Sequence, residues 1–217
     1  MVPLLLLVTL FIDPLEVDWP VRQFCRILVR LAGMQVSLSP SPDFDSRRAC
    51  IFVANHVNLF DPFVAAAVLP QPARGLELAS HFKIPLYGPL MKRFGNIPVV
   101  PGSKGLPDLQ EAVDRYLKRG VSVVIYPEGQ RTRDGQVARF RKGSFVIARA
   151  LGAPVVPVTQ VGAWEYHRKG AYYLSPGPVV LHLGPTLDPN AYPDVESLAQ
   201  ACQDMVTAAL AGETSNG

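Results

Sequence analysis

A histidine and an aspartate lie five residues apart where an apolar run of the chain ends. The segment Phe52–Phe63 reads FVANHVNLFDPF, and it places His56 just after the run and Asp61 directly before Pro62. Asp-Pro is typical of a helix start, so Asp61 is expected at the mouth of a helix. A loop of this length can fold back and bring the carboxylate to the imidazole. The carboxylate would fix the tautomer, and the other ring nitrogen could take a proton.

The same spacing permits a plainer interpretation, in which Asp61 only caps its helix and His56 lies on a loop without meeting it. The sequence has no GxSxG turn that would present a serine nucleophile to the pair. If the pair is a catalytic base, it would therefore act on a hydroxyl group that the substrate carries.

A second polar cluster follows another apolar run, VSVVIY, and reads YPEGQRTRDG. Loops at the carboxyl ends of strands are where α/β folds usually bind ligands, and arginine binds phosphate with two parallel hydrogen bonds. A ligand-binding role is favoured for Arg131, which follows Glu128 and Gly129, whereas Arg133 and Arg139 are expected to be solvated. The basic residues of this region are Arg131, Arg133, Arg139, Arg141 and Lys142.

Strand and helix patterns alternate along the chain, which predicts an α/β fold with a sheet covered by helices. The segment 39–48 is rich in Pro, Ser and Asp and is expected to be a loop. Strands are predicted at 35–38, 49–54, 97–100, 121–126, 155–161 and 179–183, and helices at 63–69, 108–119, 143–151 and 195–210.

The first 33 residues are predicted to form a helical membrane-association segment, and residues 34–217 the α/β domain. Residues 1–12 are apolar but shorter than the roughly 20 residues that a spanning helix needs, and they lack the features of a signal peptide. A helix is expected from Asp18 to Gly33, with an arginine stripe and a wide apolar face. Such a helix suits a membrane interface, although an ordinary surface helix with a solvated basic edge fits the same pattern. The stripe consists of Arg22, Arg26 and Arg30.

The composition favours one apolar domain in a reducing compartment. The chain has 217 residues, of which 48% are hydrophobic and 18% are charged, and its net charge is +3. This charge is too small to indicate nucleic-acid binding, but it suits an anionic membrane surface or an acidic substrate. Three widely spaced cysteines without a CxxC motif predict reduced thiols and no metal site, and Cys50 and Cys202 are expected to be small core residues.

Four segments, in chain order, resemble the motifs of the glycerolipid acyltransferase family, of the lysophosphatidic acid acyltransferase type. NHVNLFD is similar to the family's NHxxxxD motif, and PEGQRT is similar to its EGTRS motif. IPLYGPLMKRFGNIPV resembles the segment between them, and FRKGSFVIARALGAPVVPV resembles the lysine-glycine helix and the final apolar motif. The resemblance runs from about Leu31 to Val161. One such motif is a weak signal, whereas four in order are specific.

The resemblance implies acyl transfer from acyl-CoA or acyl carrier protein to the free hydroxyl of a lysophospholipid, in phospholipid biosynthesis and without a further cofactor. His56 would be the general base and Asp61 its orienting partner. Glu128 and Arg131 would bind the polar head of the acceptor, the arginine on its phosphate, and Gly129 would let the loop pass close to the ligand. The implied fold is a mixed-sheet α/β domain that an N-terminal pair of helices docks on the cytoplasmic face of a membrane.

The chain departs from the family pattern at two motifs. IPVVPGSK has Val100 and Pro101 where the family has an aspartate and a basic residue, so a phosphate contact is lost unless Lys104 supplies it. Gln130 and Thr132 replace a threonine and a serine, which are smaller changes. Two other functions stay open: a lipid or thioester hydrolase that uses the same pair on water, and a lipid-binding membrane protein without enzymatic activity.

Overall fold

The computed structural model describes residues 18–100, 102 and 105–214, with side chains to residue 212. The apolar segment 1–12, Pro101 and Lys104 lie outside the described residues. Predictions that concern them therefore stay predictions.

In the part of the chain that the structure describes, seven strands form one mixed sheet in the order β1-β7-β6-β2-β5-β3-β4. The β6–β7 pair is antiparallel, and the other neighbouring pairs are parallel. This arrangement confirms the predicted α/β fold with a mixed sheet, whereas membrane docking stays a prediction. The strands are β1 Met34–Pro40, β2 Ile51–Ala54, β3 Ala73–Leu78, β4 Ile97–Val99, β5 Ser122–Ile125, β6 Val155–Val161 and β7 Gly177–Leu183.

Helices cover both faces of the sheet. They are α1 Asp18–Leu31, α2 Asp61–Val68, α3 Tyr87–Arg93, α4 Leu106–Lys118, α5 Gly143–Leu151, α6 Ala163–Tyr166 and α7 Val195–Thr214. Two 3₁₀ turns occupy His81–Lys83 and Pro189–Ala191. None of these described helices is both long enough and apolar enough to cross a bilayer.

The apolar run of β2 supplies both layers of the core. Phe52 and Ala54 point to one face of the sheet and pack with buried residues of α1, α2 and α3. Ile51 and Val53 point to the other face and pack with α4, α5 and α7. Successive side chains of a strand alternate between faces, so an uninterrupted apolar run is what a strand covered on both sides requires.

Helix α1 is bound to α2 by part of the predicted arginine stripe. Arg22 forms an ion pair with Asp18 and donates to the carbonyl of Leu69. The Nε atom of Arg26 donates to the carbonyl of Ala67 at 2.9 Å. These carbonyls lie at the carboxyl end of α2, where helical backbone acceptors lack partners within the helix. Part of the stripe therefore binds another helix of the fold. Neither prediction, a membrane-facing helix or a surface helix with a solvated basic edge, describes the whole stripe.

Strand β3, helices α3 and α6 and the two 3₁₀ turns were not predicted from the sequence. Strand β3 reads ARGLEL, in which charged residues interrupt the apolar pattern. Arg74 is nevertheless 2% exposed, because its guanidinium donates to Asp18 at 2.8 Å. Helix α3 contains Gly88 and Pro89, residues that usually argue against a helix. Cys25, Cys50 and Cys202 are buried free thiols, and burial was predicted for Cys50 and Cys202.

Strands β2 and β5 are parallel neighbours, with Val53 opposite Ile125. The loops that follow them, 55–60 and 126–142, therefore leave the same edge of the sheet. This neighbourhood brings the two polar clusters of the sequence together.

Candidate active site

The structure brings His56 and Asp61 into direct contact. The Nδ1 atom of His56 lies 2.7 Å from Oδ2 of Asp61. The same oxygen accepts hydrogen bonds from the backbone N–H groups of Val57 at 2.7 Å and Asn58 at 3.0 Å. Asp61 is the first residue of α2, and no side chain caps this helix. The prediction that Asp61 caps the helix is therefore wrong, because its carboxylate turns back to hold the loop.

This contact determines which ring nitrogen of His56 can act as a base. An ionised carboxylate only accepts hydrogen bonds, so Nδ1 carries the proton and Nε2 keeps its lone pair. The His56 side chain is 22% exposed, and Nε2 has no hydrogen-bond partner among the described residues. Asp61 is fully buried, and burial raises the pKa of its carboxyl group above the usual value, although the bond to His56 opposes the shift.

Glu128 holds the backbone of His56 from the neighbouring loop. Its Oε1 atom accepts from the N–H of His56 at 2.6 Å, and its Oε2 atom accepts from the N–H of Ala138 at 2.9 Å. The N–H of Thr132 donates to the carbonyl of His56 at 2.9 Å. Both backbone groups of His56 are therefore bonded to the loop after β5. Glu128 is 4% exposed, and burial raises the pKa of its carboxyl group.

The structure thus places Glu128 as a positioning residue for the His56 loop. Contact of Glu128 with a substrate head group stays a prediction, since each of its oxygens already accepts one backbone hydrogen bond.

Gly129 lets a cation approach the backbone of this loop. Its φ is +74°, and a Cβ atom added there would lie 2.6 Å from Cζ of Arg141. The left-handed conformation favours glycine, and a Cβ atom would also displace the Arg141 guanidinium. The predicted reason for Gly129 was approach to a ligand, whereas the group that lies against it in the structure is the guanidinium of Arg141.

Arg131 follows within the same loop and lies next to Thr132, whose N–H is bonded to His56. Its guanidinium has no hydrogen bond or ion pair among the described residues, and its carbonyl accepts from Lys169 at 3.4 Å. Arg133 and Arg139 are exposed, whereas Lys142 forms an ion pair with Glu196. Arg131 is therefore the sequence-predicted cation that lies near His56 without a partner.

Three side chains of the site were missed by the sequence analysis. The ring of Tyr126 stacks on the imidazole of His56, with centroids 4.4 Å apart and planes at 27°. Asn55 joins the ends of β2 and β6, because its Oδ1 atom accepts from the N–H of Gln160 at 2.8 Å. Asn58 donates to the carbonyl of Ala163 at 2.6 Å. The sequence feature that could have identified these side chains is a short polar or aromatic residue at the end of an apolar run.

An apolar cavity lies beside the histidine, between α1, α2, α3 and the sheet. Its volume is only about 50 Å³, and it is partly open to solvent. Tyr126 lines the cavity while stacking on His56, and Glu77, Arg74 and Asn96 add polar groups to the lining. The apolar lining includes Cys25, Phe63, Ala66, Met91, Phe94 and Val124.

Comparison with known proteins finds one matching family model and several relatives. The model described as Acyltransferase matches residues 36–161. A 1-acyl-sn-glycerol-3-phosphate acyltransferase of Escherichia coli K12 is 28% identical over 188 residues, which cover 85% of this chain and 76% of that protein. A chloroplastic 1-acyl-sn-glycerol-3-phosphate acyltransferase of Brassica napus is 33% identical over 123 residues, which cover 56% of this chain and 36% of the relative.

The fold also has a solved counterpart. The crystal structure of the 1-acyl-sn-glycerophosphate (LPA) acyltransferase PlsC from Thermotoga maritima matches with a TM-score of 0.84. The match covers 98% of this chain and 88% of that chain, at 22% sequence identity. At this identity the likeness shows a shared fold.

Proposed function

Because the chain belongs to the acyltransferase family, we propose that it transfers a fatty acyl group from an acyl thioester to the free hydroxyl of a lysophospholipid. The family model and the relatives confirm the resemblance inferred from the four motifs, and the chain is an O-acyltransferase of lipid biosynthesis. The acyl donor, acyl-CoA or acyl carrier protein, the acceptor, such as lysophosphatidic acid, and the roles of individual residues are parts of the proposal.

The observation that carries the mechanism is the free Nε2 atom of a histidine whose Nδ1 atom is bonded to a buried carboxylate. Nε2 of His56 removes the proton from the acceptor hydroxyl as its oxygen attacks the thioester carbonyl. The tetrahedral intermediate collapses, the carbon–sulfur bond breaks, and the imidazolium returns the proton to the leaving thiolate. Asp61 stabilises the imidazolium between these steps, so no protein nucleophile is needed.

Arg131 is proposed to bind the acceptor phosphate. Its guanidinium has no partner in the described part of the chain and belongs to the loop that is bonded to His56, and guanidinium groups bind phosphate oxygens with two hydrogen bonds. Lys104 is the candidate for the contact that Pro101 cannot make, and it stays a prediction outside the described residues. A proline has neither a side-chain donor nor a backbone N–H, so we expect weaker discrimination for phosphomonoester acceptors than two cations would give.

The cavity beside Tyr126 is proposed to hold part of an acyl chain. Its apolar lining and its position next to His56 support this role. Ala66 lines the cavity, and a phenylalanine there would occupy its space. Ala66→Phe should shift the preference toward shorter acyl donors. An unchanged chain-length profile in a correctly folded variant would contradict this assignment.

Membrane association on the cytoplasmic face, through residues 1–33, is part of the proposal as well. Helix α1 contributes Phe24 and Cys25 to the core, so its removal would expose apolar surface. Deleting residues 1–17 alone is therefore the cleaner test. The shortened protein should bind vesicles more weakly in flotation, and equal flotation of both proteins would contradict a membrane role for these residues.

The reaction is tested by supplying acyl-CoA and lysophosphatidic acid to the purified protein and separating the lipids by thin-layer chromatography. We expect phosphatidic acid and free CoA in equal amounts. Free fatty acid without phosphatidic acid would instead identify a hydrolase, and the absence of both products would refute the use of this donor and this acceptor.

His56→Ala should lower the rate roughly 10²–10⁴-fold, the usual contribution of a general base. His81→Ala is the matched control. The Nδ1 atom of His81 lies 2.6 Å from a carboxylate oxygen of Glu77, so this variant breaks a similar pair away from the His56–Asp61 pair, although Glu77 lines the proposed acyl cavity. Equal losses in the two variants would show that the assignment of the base is wrong.

A further inference from the structure

A loop between α6 and β7 projects three bulky side chains into solvent. Tyr172 is fully exposed, Tyr173 is 66% exposed and Leu174 is 43% exposed. Arg168 and Lys169 precede them, separated from Tyr172 by Gly170 and Ala171. We call residues 167–174 the tyrosine loop.

The tyrosine loop is an ordered part of the fold. The N–H of Ser175 donates to the carbonyl of Tyr166 at 2.9 Å, which closes the base of the loop. Within it, the N–H of Ala171 donates to the carbonyl of Arg168 at 3.0 Å. Tyr166 itself is 1% exposed, and its hydroxyl donates to the carbonyl of Ala32 at 2.7 Å. The exposed side chains therefore stand on a loop whose base and first turn are closed by backbone hydrogen bonds.

The tyrosine loop is connected to the active site through Tyr166. The ring of Tyr166 meets the ring of Phe60 edge to face, with centroids 5.6 Å apart, and Asn58 donates to the carbonyl of Ala163 at the start of α6. Leu59 lies between Asn58 and Phe60 in the sequence and is 57% exposed. The loop that carries His56 and the tyrosine loop are thus two parts of one surface.

The same surface reaches the end of α1. Leu31 is 79% exposed and directly precedes Ala32, whose carbonyl accepts a hydrogen bond from the hydroxyl of Tyr166. Pro176, just after the tyrosine loop, packs against Gly33, where an added Cβ atom would lie 3.0 Å from the proline side chain. Exposed apolar residues from three segments therefore surround one buried tyrosine.

Positive charge accompanies these apolar residues. Arg168 lies over the ring of Trp164 at 5.7 Å, and Lys169 bonds the carbonyl of Arg131. The neighbouring acidic side chain on α6 is Glu165, so the cations of the loop outnumber it. The adjoining loop adds the exposed Arg133, with Asp134 beside it.

We propose that the tyrosine loop is a docking surface for an anionic phospholipid bilayer, and that it turns the His56 site toward the lipid. Tyrosine is enriched where a protein meets the interface of a bilayer, because its ring is apolar and its hydroxyl is polar. The apolar groups stand on a protruding loop, a shape that enters a soft lipid surface, whereas a protein partner would need a matching pocket. The inference rests on the proposed function in one respect: a lysophospholipid acceptor is found in a bilayer.

The direct test places a fluorophore on the loop of the full chain. Tyr173→Cys is labelled with an environment-sensitive nitrobenzoxadiazole, and vesicles of phosphatidylcholine with a minority of phosphatidylglycerol are added. The native thiols should react slowly, because burial raises the pKa of Cys25, Cys50 and Cys202 to about 12. We expect a blue shift and brighter emission, as the label leaves water. Glu111→Cys, exposed on α4, is the matched control and should show no change.

The charge contribution is measured with the same label. Arg168→Gln in the labelled protein should weaken binding to the anionic vesicles about fivefold, the usual effect of one cation at such a surface. Vesicles of phosphatidylcholine alone should bind less. A label at position 173 that stays in water while the protein floats with vesicles would overturn the proposal, and so would the absence of any vesicle binding.

An activity measurement separates this inference from the proposed function. Tyr172→Ser combined with Tyr173→Ser should lower the rate on acceptor embedded in vesicles roughly tenfold, because membrane affinity scales with the apolar area inserted. The rate on acceptor dispersed in detergent should be unchanged. Equal rates in vesicles would count against docking. If no acceptor is acylated in either form, the proposed function fails, while the fluorescence result still decides whether the loop meets lipid.

Discussion

Replacing Asp61 by asparagine should preserve the geometry of the site and remove only its charge. All three donors, His56 Nδ1 and the N–H groups of Val57 and Asn58, converge on one oxygen, Oδ2. The other oxygen, Oδ1, is buried and has no partner among the described residues. An asparagine can therefore place its carbonyl oxygen at Oδ2 and its amide nitrogen at Oδ1. The reverse orientation would set the amide nitrogen against two backbone donors.

The expected loss of rate follows from this geometry. A hydrogen bond to a charged group contributes about 1.5–3 kcal/mol and a neutral one about 0.5–1.5 kcal/mol, so Asp61→Asn should cost about 1–2 kcal/mol of imidazolium stabilisation. That difference corresponds to roughly a 5- to 30-fold lower kcat. Asp61→Ala releases the imidazole and leaves two buried N–H groups without an acceptor. It should cost most of the roughly 10²–10⁴-fold contribution of the base.

Although Asp61→Asn should lower the rate, its effect on protein stability should become more favourable as the pH rises. Burial raises the pKa of Asp61 in the folded state above its unfolded value, so its contribution to stability is present below the unfolded pKa and is lost as pH rises through the folded pKa. Asparagine does not titrate. The Tm of Asp61→Asn relative to the unsubstituted protein should therefore increase from about pH 4 toward neutrality.

Thiol release from acyl-CoA gives kcat, and differential scanning calorimetry across this pH range gives Tm. If Asp61→Asn is as inactive as Asp61→Ala although both proteins are folded, the argument that asparagine keeps the proton on Nδ1 of His56 is refuted. A Tm difference that does not change with pH would refute the buried-charge argument.

Three further variants test the loop after β5. Glu128→Gln offers one acceptor oxygen to two backbone N–H groups, so it should lower the free energy of unfolding by about 1.5–3 kcal/mol and weaken the positioning of His56. Urea denaturation measures this loss, and an unchanged denaturation midpoint would contradict it. Gly129→Ala should lose about 1–2 kcal/mol through its left-handed backbone alone, and Arg141→Ala added to it should relieve the contact but not that strain. Arg131→Ala should raise KM for lysophosphatidic acid roughly tenfold to a hundredfold, with less effect on a phosphate-free acceptor, and equal effects on both would exclude phosphate binding.

The local pattern of residues was sufficient for the elements and for the types of chemistry. The continuous apolar runs at β2, β5 and β6 predicted buried strands, and β6 was predicted residue for residue at 155–161. Helix α5 was predicted with the same accuracy at 143–151, because Gly152 ends it in the left-handed conformation. These signals succeed because burial and helix termination act on residues that are close in sequence.

The partners of the polar residues were decided by the tertiary structure. The sequence offered Asp61 either as the partner of His56 or as a plain helix cap, and only the folded loop shows that the carboxylate is bonded to His56 and does not cap the helix. Arg22 looked like part of an exposed stripe until α2 placed its terminal carbonyls beside it. Glu128 and the backbone of His56 are 72 residues apart in sequence, and they meet because β2 and β5 are adjacent in the sheet. The order of strands is a property of the whole core, so no local pattern specifies which distant hydrogen-bond donor a buried carboxylate will hold.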